Sequence, residues 1–98
     1  MLIAIDYDKT WTADPDLFGS FAKSLKKAGH KCICVTSRVA DTENNDLANS
    51  IGQYMPIIYA GNQPKRKAAE KQRYHVNIWI DDMPESITRQ DENRFAVC

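Results

Sequence analysis

The chain has 98 residues, with 13 Lys and Arg against 13 Asp and Glu, so its formal net charge is zero. That length holds one domain, 1–98, with a modest core and no room for a second. Balanced charge singles out no class of partner, and no apolar run approaches the roughly 20 residues of a membrane span.

In chain order, Leu2, Ile3, Ala4 and Ile5 run straight into Asp6-Tyr7-Asp8-Lys9-Thr10. This predicts a strand over 2–6, buried on both faces as in a parallel sheet. Asp14-Pro15 predicts a helix start, with Asp as cap and Pro at the first helical position. Leu17, Phe18, Phe21, Ala22, Leu25 and Ala28 recur at helical spacing, with Lys23, Lys26 and Lys27 on the other face. Gly29 ends that helix, with cations in its last turn. The second strand is expected over 31–35 and runs into Thr36-Ser37-Arg38. A second helix is expected from about 42 to 53, with Leu47, Ala48 and Ile51 inward and acids at its start. Residues 56–60 read as a third strand and Gly61-Asn62-Gln63 as a turn. Pro64 opens a third helix to about 74. It is strongly basic, with Lys65, Arg66, Lys67, Lys71 and Arg73, and most of those charges read as a solvated face. Residues 76–80 form a fourth strand that runs into Asp81-Asp82. Pro84 opens a short helix to about 89, and 94–98 suits a short edge strand.

Strands alternating with crossovers predict an α/β fold with right-handed connections. The expected architecture is a single doubly wound, Rossmann-like parallel sheet of about five strands, order 3-2-1-4-5, with helices on both faces. The three cysteines, Cys32, Cys34 and Cys98, show no metal-type spacing. Their odd count suggests a reducing compartment. The N-terminus lacks a signal-peptide pattern, so a cytoplasmic location is expected.

The carboxyl ends of parallel strands lie on one edge, where open α/β sheets bind ligands. Strand one brings Asp6 and Asp8 there, strand two Thr36 and Ser37, and strand four Asp81 and Asp82. Lys65 starts the helix before strand four. Four carboxylates at one edge repel each other unless a cation sits among them. Oxygen ligands suit Mg²⁺. Acids, a metal, a lysine and a hydroxyl together suit phosphoryl transfer.

These residues resemble the haloacid dehalogenase superfamily of phosphohydrolases. The matching motifs are Asp6-Tyr7-Asp8-Lys9-Thr10, Val35-Thr36-Ser37, a lysine before strand four, and Ile78-Trp79-Ile80-Asp81-Asp82. They occur in order over nearly the whole chain. The resemblance implies a Mg²⁺-dependent phosphomonoester hydrolase with Asp6 as the nucleophile that forms an aspartyl-phosphate. Asp8 would be general acid and then base, and Thr10 would orient it. Thr36 would bond the phosphoryl oxygens, with Ser37 close by, and Lys65 would steady the negative charge. Asp6, Asp82 and the backbone carbonyl of Asp8 would hold Mg²⁺, with Asp81 behind them or as a further ligand. Arg38 and Arg66 could bind a phosphate or a nucleic-acid backbone.

Lys9 stands where the family commonly has Gly. Lys65 and Lys67 both suit the lysine motif, and the metal ligand is open between Asp81 and Asp82. Neither 11–30 nor 39–64 is long enough for the cap domain the family usually inserts. The site should therefore be open, favouring a macromolecular or nucleotide phosphate such as a nucleic-acid end, or a partner protein or second copy that completes it. Tyr7, Trp11 and Tyr59 could stack on a base or pack in the core. The alternative reading is a weak or inactive phosphoacceptor or binding module. Response-regulator receivers also gather acids, Thr and Lys around Mg²⁺, but their phosphorylated Asp follows strand three, and here Tyr59-Ala60-Gly61 stands there.

Overall fold

A computed structural model gives the fold, and residues 1–40 and 43–88 are described. Four strands, β1 (Leu2–Ile5), β2 (Lys31–Thr36), β3 (Ile57–Tyr59) and β4 (Ile78–Ile80), form one parallel sheet in the order β3-β2-β1-β4. β1 is central, pairing Leu2–Ile5 with Lys31–Cys34 on one side and Ile3–Ile5 with Ile78–Ile80 on the other. The expected order of the first four strands is thus observed. The fifth strand, 94–98, lies outside the described residues.

Side chains alternate across a strand, and each face of this sheet builds its own core. Ile3, Ile5 and Cys34 point to one face and pack with Ala22, Leu47, Ile51 and Met55. Those partners come from α1 (Pro15–Lys27), α2 (Asn45–Ala48) and the segment after it. Ala4, Ile33, Val35 and Ile58 point to the other face and meet Ala68 and Ala69 of α3 (Lys65–Lys71). Alanines on both sides of that contact keep the helix backbone close to the sheet. Each fully buried Ile or Leu stabilises the fold by about 1.5–3 kcal/mol relative to leaving it exposed.

α1 starts and stops where its sequence predicts. The Asp14 carboxylate accepts from the Leu17 amide at 3.1 Å, with Pro15 first in the helix. At the other end Gly29 takes φ +91°, the Gly29 amide donates to Lys26 O and the His30 amide to Leu25 O, satisfying carbonyls the last turn leaves open. The inward face is narrower than the periodicity suggests. Leu17 and Phe21 are exposed, while Gly19 is buried against Tyr54. A Cβ at Gly19 would lie 3.0 Å from the Tyr54 hydroxyl, so a side chain there would crowd the ring.

Two helices differ from expectation. The continuous helix predicted over 42–53 is broken: α2 ends at Ala48, and Ile51–Gln53 is a separate 3-10 turn. Between them Ser50 takes φ −124° and ψ −97°, and its hydroxyl accepts the Trp11 indole N–H at 2.8 Å. That bond holds Ser50 outside helical geometry, while Leu47 and Ile51 are both buried, as their spacing predicts. The third helix stops at Lys71 rather than 74, because Arg73 adopts the left-handed φ of +67°. The last helix, α4 (Glu85–Thr88), begins after Pro84. Between β1 and β2 only the 3-10 turn Trp11–Ala13 and α1 intervene, so no cap domain enters there.

Candidate active site

β1 delivers Asp6 to the carboxyl edge and a tight loop fixes it. The Asp6 amide donates to Ile80 O at 2.9 Å, tying the ends of β1 and β4 together. The amides of Thr10 and Thr12 both donate to Tyr7 O, and the Lys9 amide donates to the Thr12 hydroxyl at 2.9 Å. Lys9 closes this turn in the left-handed region, φ +66°, where an L side chain costs about 1–2 kcal/mol and glycine costs nothing. That is a physical reason for a glycine at this position. Trp11 anchors the loop from beneath, almost fully buried and stacked near Phe18 and Tyr54. Tyr7 and Trp11 are therefore core residues, and Tyr59 is half-buried against the same cluster; neither Tyr7 nor Trp11 is free to stack on a base.

Lys65 is the lysine at the site. Its ammonium lies 2.8 Å from Asp6 Oδ1 and 2.5 Å from Asp81 Oδ2, with the side chain 3% exposed. Lys67 points to solvent. Thr10 links the other two acids. Its hydroxyl accepts from the Asp82 amide at 3.2 Å and can donate its single proton to Asp6 Oδ2 at 3.2 Å or Asp82 Oδ1 at 3.4 Å. Asp81 Oδ1 accepts from the Met83 amide at 2.9 Å. Both Asp81 oxygens are thus committed, one to lysine and one to backbone.

Carboxylate oxygens of Asp6, Asp81 and Asp82 lie within 4.8 Å of one another. Three acids face one lysine, so the cluster carries excess negative charge. Burial pushes the Asp6 carboxyl up to about 6, although Lys65 pulls the other way. For Lys65, burial opposes the charge, but its bonds to Asp6 and Asp81 outweigh it and raise its pKa.

Asp8 belongs to a different arrangement, which the sequence does not reveal. Its carboxylate is half exposed and takes a two-pronged contact from Arg38, Nε to Oδ2 at 2.9 Å and Nη2 to Oδ1 at 2.7 Å. Arg38 Nη1 also reaches Asp46 Oδ1 at 2.8 Å, and the guanidinium sits 5.2 Å from the Tyr7 ring centroid. The two carboxylates raise the Arg38 pKa, with Asp8 foremost, and the Arg38 hydrogen bond lowers that of Asp46. Of the expected metal set, Asp6, Asp81 and Asp82 come together. The Asp8 side chain is held apart by Arg38. Thr10 likewise bonds Asp6 and Asp82 instead of orienting Asp8.

Thr36 is buried at the end of β2, and its hydroxyl oxygen accepts from the Arg38 amide at 3.2 Å, shaping the loop that carries Ser37 and Arg38. Ser37 is exposed and Arg38 half-buried at the same edge. Arg66 is exposed on α3. Asp46 is the participant that sequence reasoning missed; an acid at the start of a short helix carries no signal beyond a cap. Comparison of the chain with family models, with curated proteins and with solved structures finds no match.

Proposed function

We propose that this chain is a Mg²⁺-dependent phosphomonoester hydrolase of the haloacid dehalogenase type, working through an aspartyl-phosphate on Asp6. The observation that carries the reading is Lys65 buried between Asp6 and Asp81, with Thr10 joining Asp6 to Asp82. A buried carboxylate steadied by an ammonium at the end of a central parallel strand is placed and charged for nucleophilic attack. The finer architecture belongs to the same proposal: a doubly wound sheet with helices on both faces.

The donor set suits magnesium, since Asp6 and Asp82 offer carboxylate oxygens and the ion favours oxygen ligands. Of the acidic pair, Asp82 would be the direct ligand and Asp81 the brace, since Asp81 accepts both the Lys65 ammonium and the Met83 amide. Mg²⁺, when bound, offsets carboxylate charge and polarises the phosphoryl group. Asp6 Oδ2 attacks phosphorus in line while the bond to the leaving oxygen breaks, and Asp8 gives that oxygen a proton. Asp8 then takes a proton from a water whose oxygen attacks the phosphorus while the Asp6 Oδ2–phosphorus bond breaks, releasing inorganic phosphate and returning the Asp6 carboxylate. Lys65 would hold the charge of the nucleophile, and Thr36, Ser37 and Arg38, which follow β2 at the same sheet edge, would bond the phosphoryl oxygens. With no cap over 11–30, the substrate is a macromolecular or nucleotide phosphate that brings its own bulk to the site.

One observation favours a second reading, a phosphoacceptor module with little turnover. Arg38 grips both oxygens of Asp8, and a captured Asp8 makes a poor base for the water step. Hydrolysis of a small aryl phosphate with and without Mg²⁺, in wild type and Asp6→Asn, tests the proposal. Metal-dependent turnover abolished by Asp6→Asn is the expected result. Turnover that survives Asp6→Asn sinks the covalent mechanism. Stable labelling from a small phosphodonor without turnover selects the second reading.

A further inference from the structure

The opposite edge of the sheet carries a cavity of about 630 Å³ that the phosphatase reading does not use. It exists because β3 pairs only with Cys34–Thr36, leaving Lys31–Ile33 of β2 with no strand on that side among the described residues. Leu2, Ile33 and Pro56 give it an apolar floor. Lys23 and Lys26 of α1, Lys31 at the start of β2 and Arg73 before β4 line it, together with Tyr54 and Tyr74. Among the described residues no acid lines this cavity and none of the four cations is in an ion pair. Lys23 lies 5.9 Å over the Tyr54 ring, and Arg73 is held in the left-handed region, φ +67°.

We propose that this edge is a groove for single-stranded nucleic acid. Phosphates would sit on Lys23, Lys26, Lys31 and Arg73, and a base would sit on the apolar floor between the tyrosines. Unpaired cations beside aromatic and apolar surface are what a flexible strand uses, since every base has a face to stack and every linkage a charge. The volume falls in the range of about 300–1,000 Å³ typical of small-ligand sites, so it takes a nucleotide-sized group and cannot admit a duplex. An acidic peptide would satisfy the charge but leave the apolar floor without a flat partner. The proposal stands apart from the phosphatase reading, because none of these residues belongs to the acidic edge.

The test is fluorescence anisotropy of a fluorescein-labelled oligothymidylate with wild-type protein in EDTA, so that metal-dependent chemistry plays no part. We expect binding at low salt, with log K falling against log salt with a slope of roughly −2 to −3, about 0.7 for each phosphate contacted on a single strand. Lys26→Gln with Lys31→Gln should weaken binding about tenfold or more and flatten the slope by about 1.4. Arg73→Gly should weaken binding about threefold while thermal stability holds or rises, because glycine relieves the left-handed backbone. Those opposed shifts separate lost binding from lost folding. Absence of binding, affinity unchanged in these variants, or equal affinity for a duplex or a Glu-rich peptide would overturn the groove and leave the acidic edge untouched.

Discussion

The two edges of this sheet invert one another. At the carboxyl edge acids outnumber cations, and Asp6, Asp81 and Lys65 are buried in mutual contact. At the amino edge Lys23, Lys26, Lys31 and Arg73 line open space without acidic partners among the described residues. A net charge of zero conceals this separation entirely. The comparison teaches that burial decides what a charge does here. Buried ions at the carboxyl edge satisfy one another and hold geometry, the half-exposed Asp8 and Asp46 pair with Arg38 on its rim, and the four cations of the amino edge line open space where a ligand can meet them. Each edge also holds a cation in the left-handed region, Lys9 at one and Arg73 at the other.

The largest effect should come from breaking the buried edge. Lys65→Met leaves Asp6 and Asp81 without their ammonium, and removing one partner of a buried pair costs about 3–5 kcal/mol. Urea unfolding in EDTA should show that loss, and added Mg²⁺ should restore part of it. A loss below about 1 kcal/mol would mean the buried ions contribute no more than the exposed ones.

Between the edges lies a dry centre, which Cys34 reports. Burial pushes its thiol up to about 12 from 9.0, and the charge of Asp6 adds to the rise. The thiolate is the reactive form, so native Cys34 should alkylate at pH 8 roughly a thousandfold more slowly than in the urea-unfolded chain. Fast native labelling, located by mass spectrometry, would show that water reaches the middle of the sheet.

Arg38→Gln probes the exposed side of the carboxyl edge. Its contacts are part-exposed, so stability should change by no more than about 1 kcal/mol. Under the phosphatase reading the KM for an aryl phosphate should rise about tenfold, the weight of one charge-assisted contact. A rise in turnover instead would identify the Arg38 grip as a restraint on Asp8. The smallest effect is expected for Lys9→Gly, which removes the left-handed penalty and should stabilise the protein by about 0.5–1 kcal/mol in thermal melts.

Much of this arrangement was legible because it is written in local patterns. The apolar run before Asp6 marks a buried strand, Asp14-Pro15 marks a helix start, and the position of Pro64 brings Lys65 to the sheet edge ahead of Lys67. Parallel pairing followed from crossovers long enough to allow it. The rest depends on contacts between distant segments. The break before Ile51 is set by the Trp11 indole reaching Ser50, and Asp8 is captured by Arg38 and Asp46, none of which any period or motif encodes. Leu17 and Phe21 are exposed while Gly19 between them is buried against Tyr54, a tertiary choice that periodicity does not show. The basic groove was dispersed over α1, β2 and the turn before β4, so composition and spacing both passed over it.

The bonds around Asp6 also set a timetable. Asp6 is made early, yet its ammonium comes 59 residues later, and Thr10 meets Asp82 across 72 residues. While the chain emerges from a ribosome, β1 therefore ends on an acid with no counter-charge, and its central place in the sheet cannot be filled at little cost until Lys65 has appeared. Parallel pairing adds to the delay, because each contact must close a long loop. Folding of this domain should consequently be held back until most of it has been synthesised, with the apolar strand exposed meanwhile to whatever chaperone or neighbouring chain can bind it.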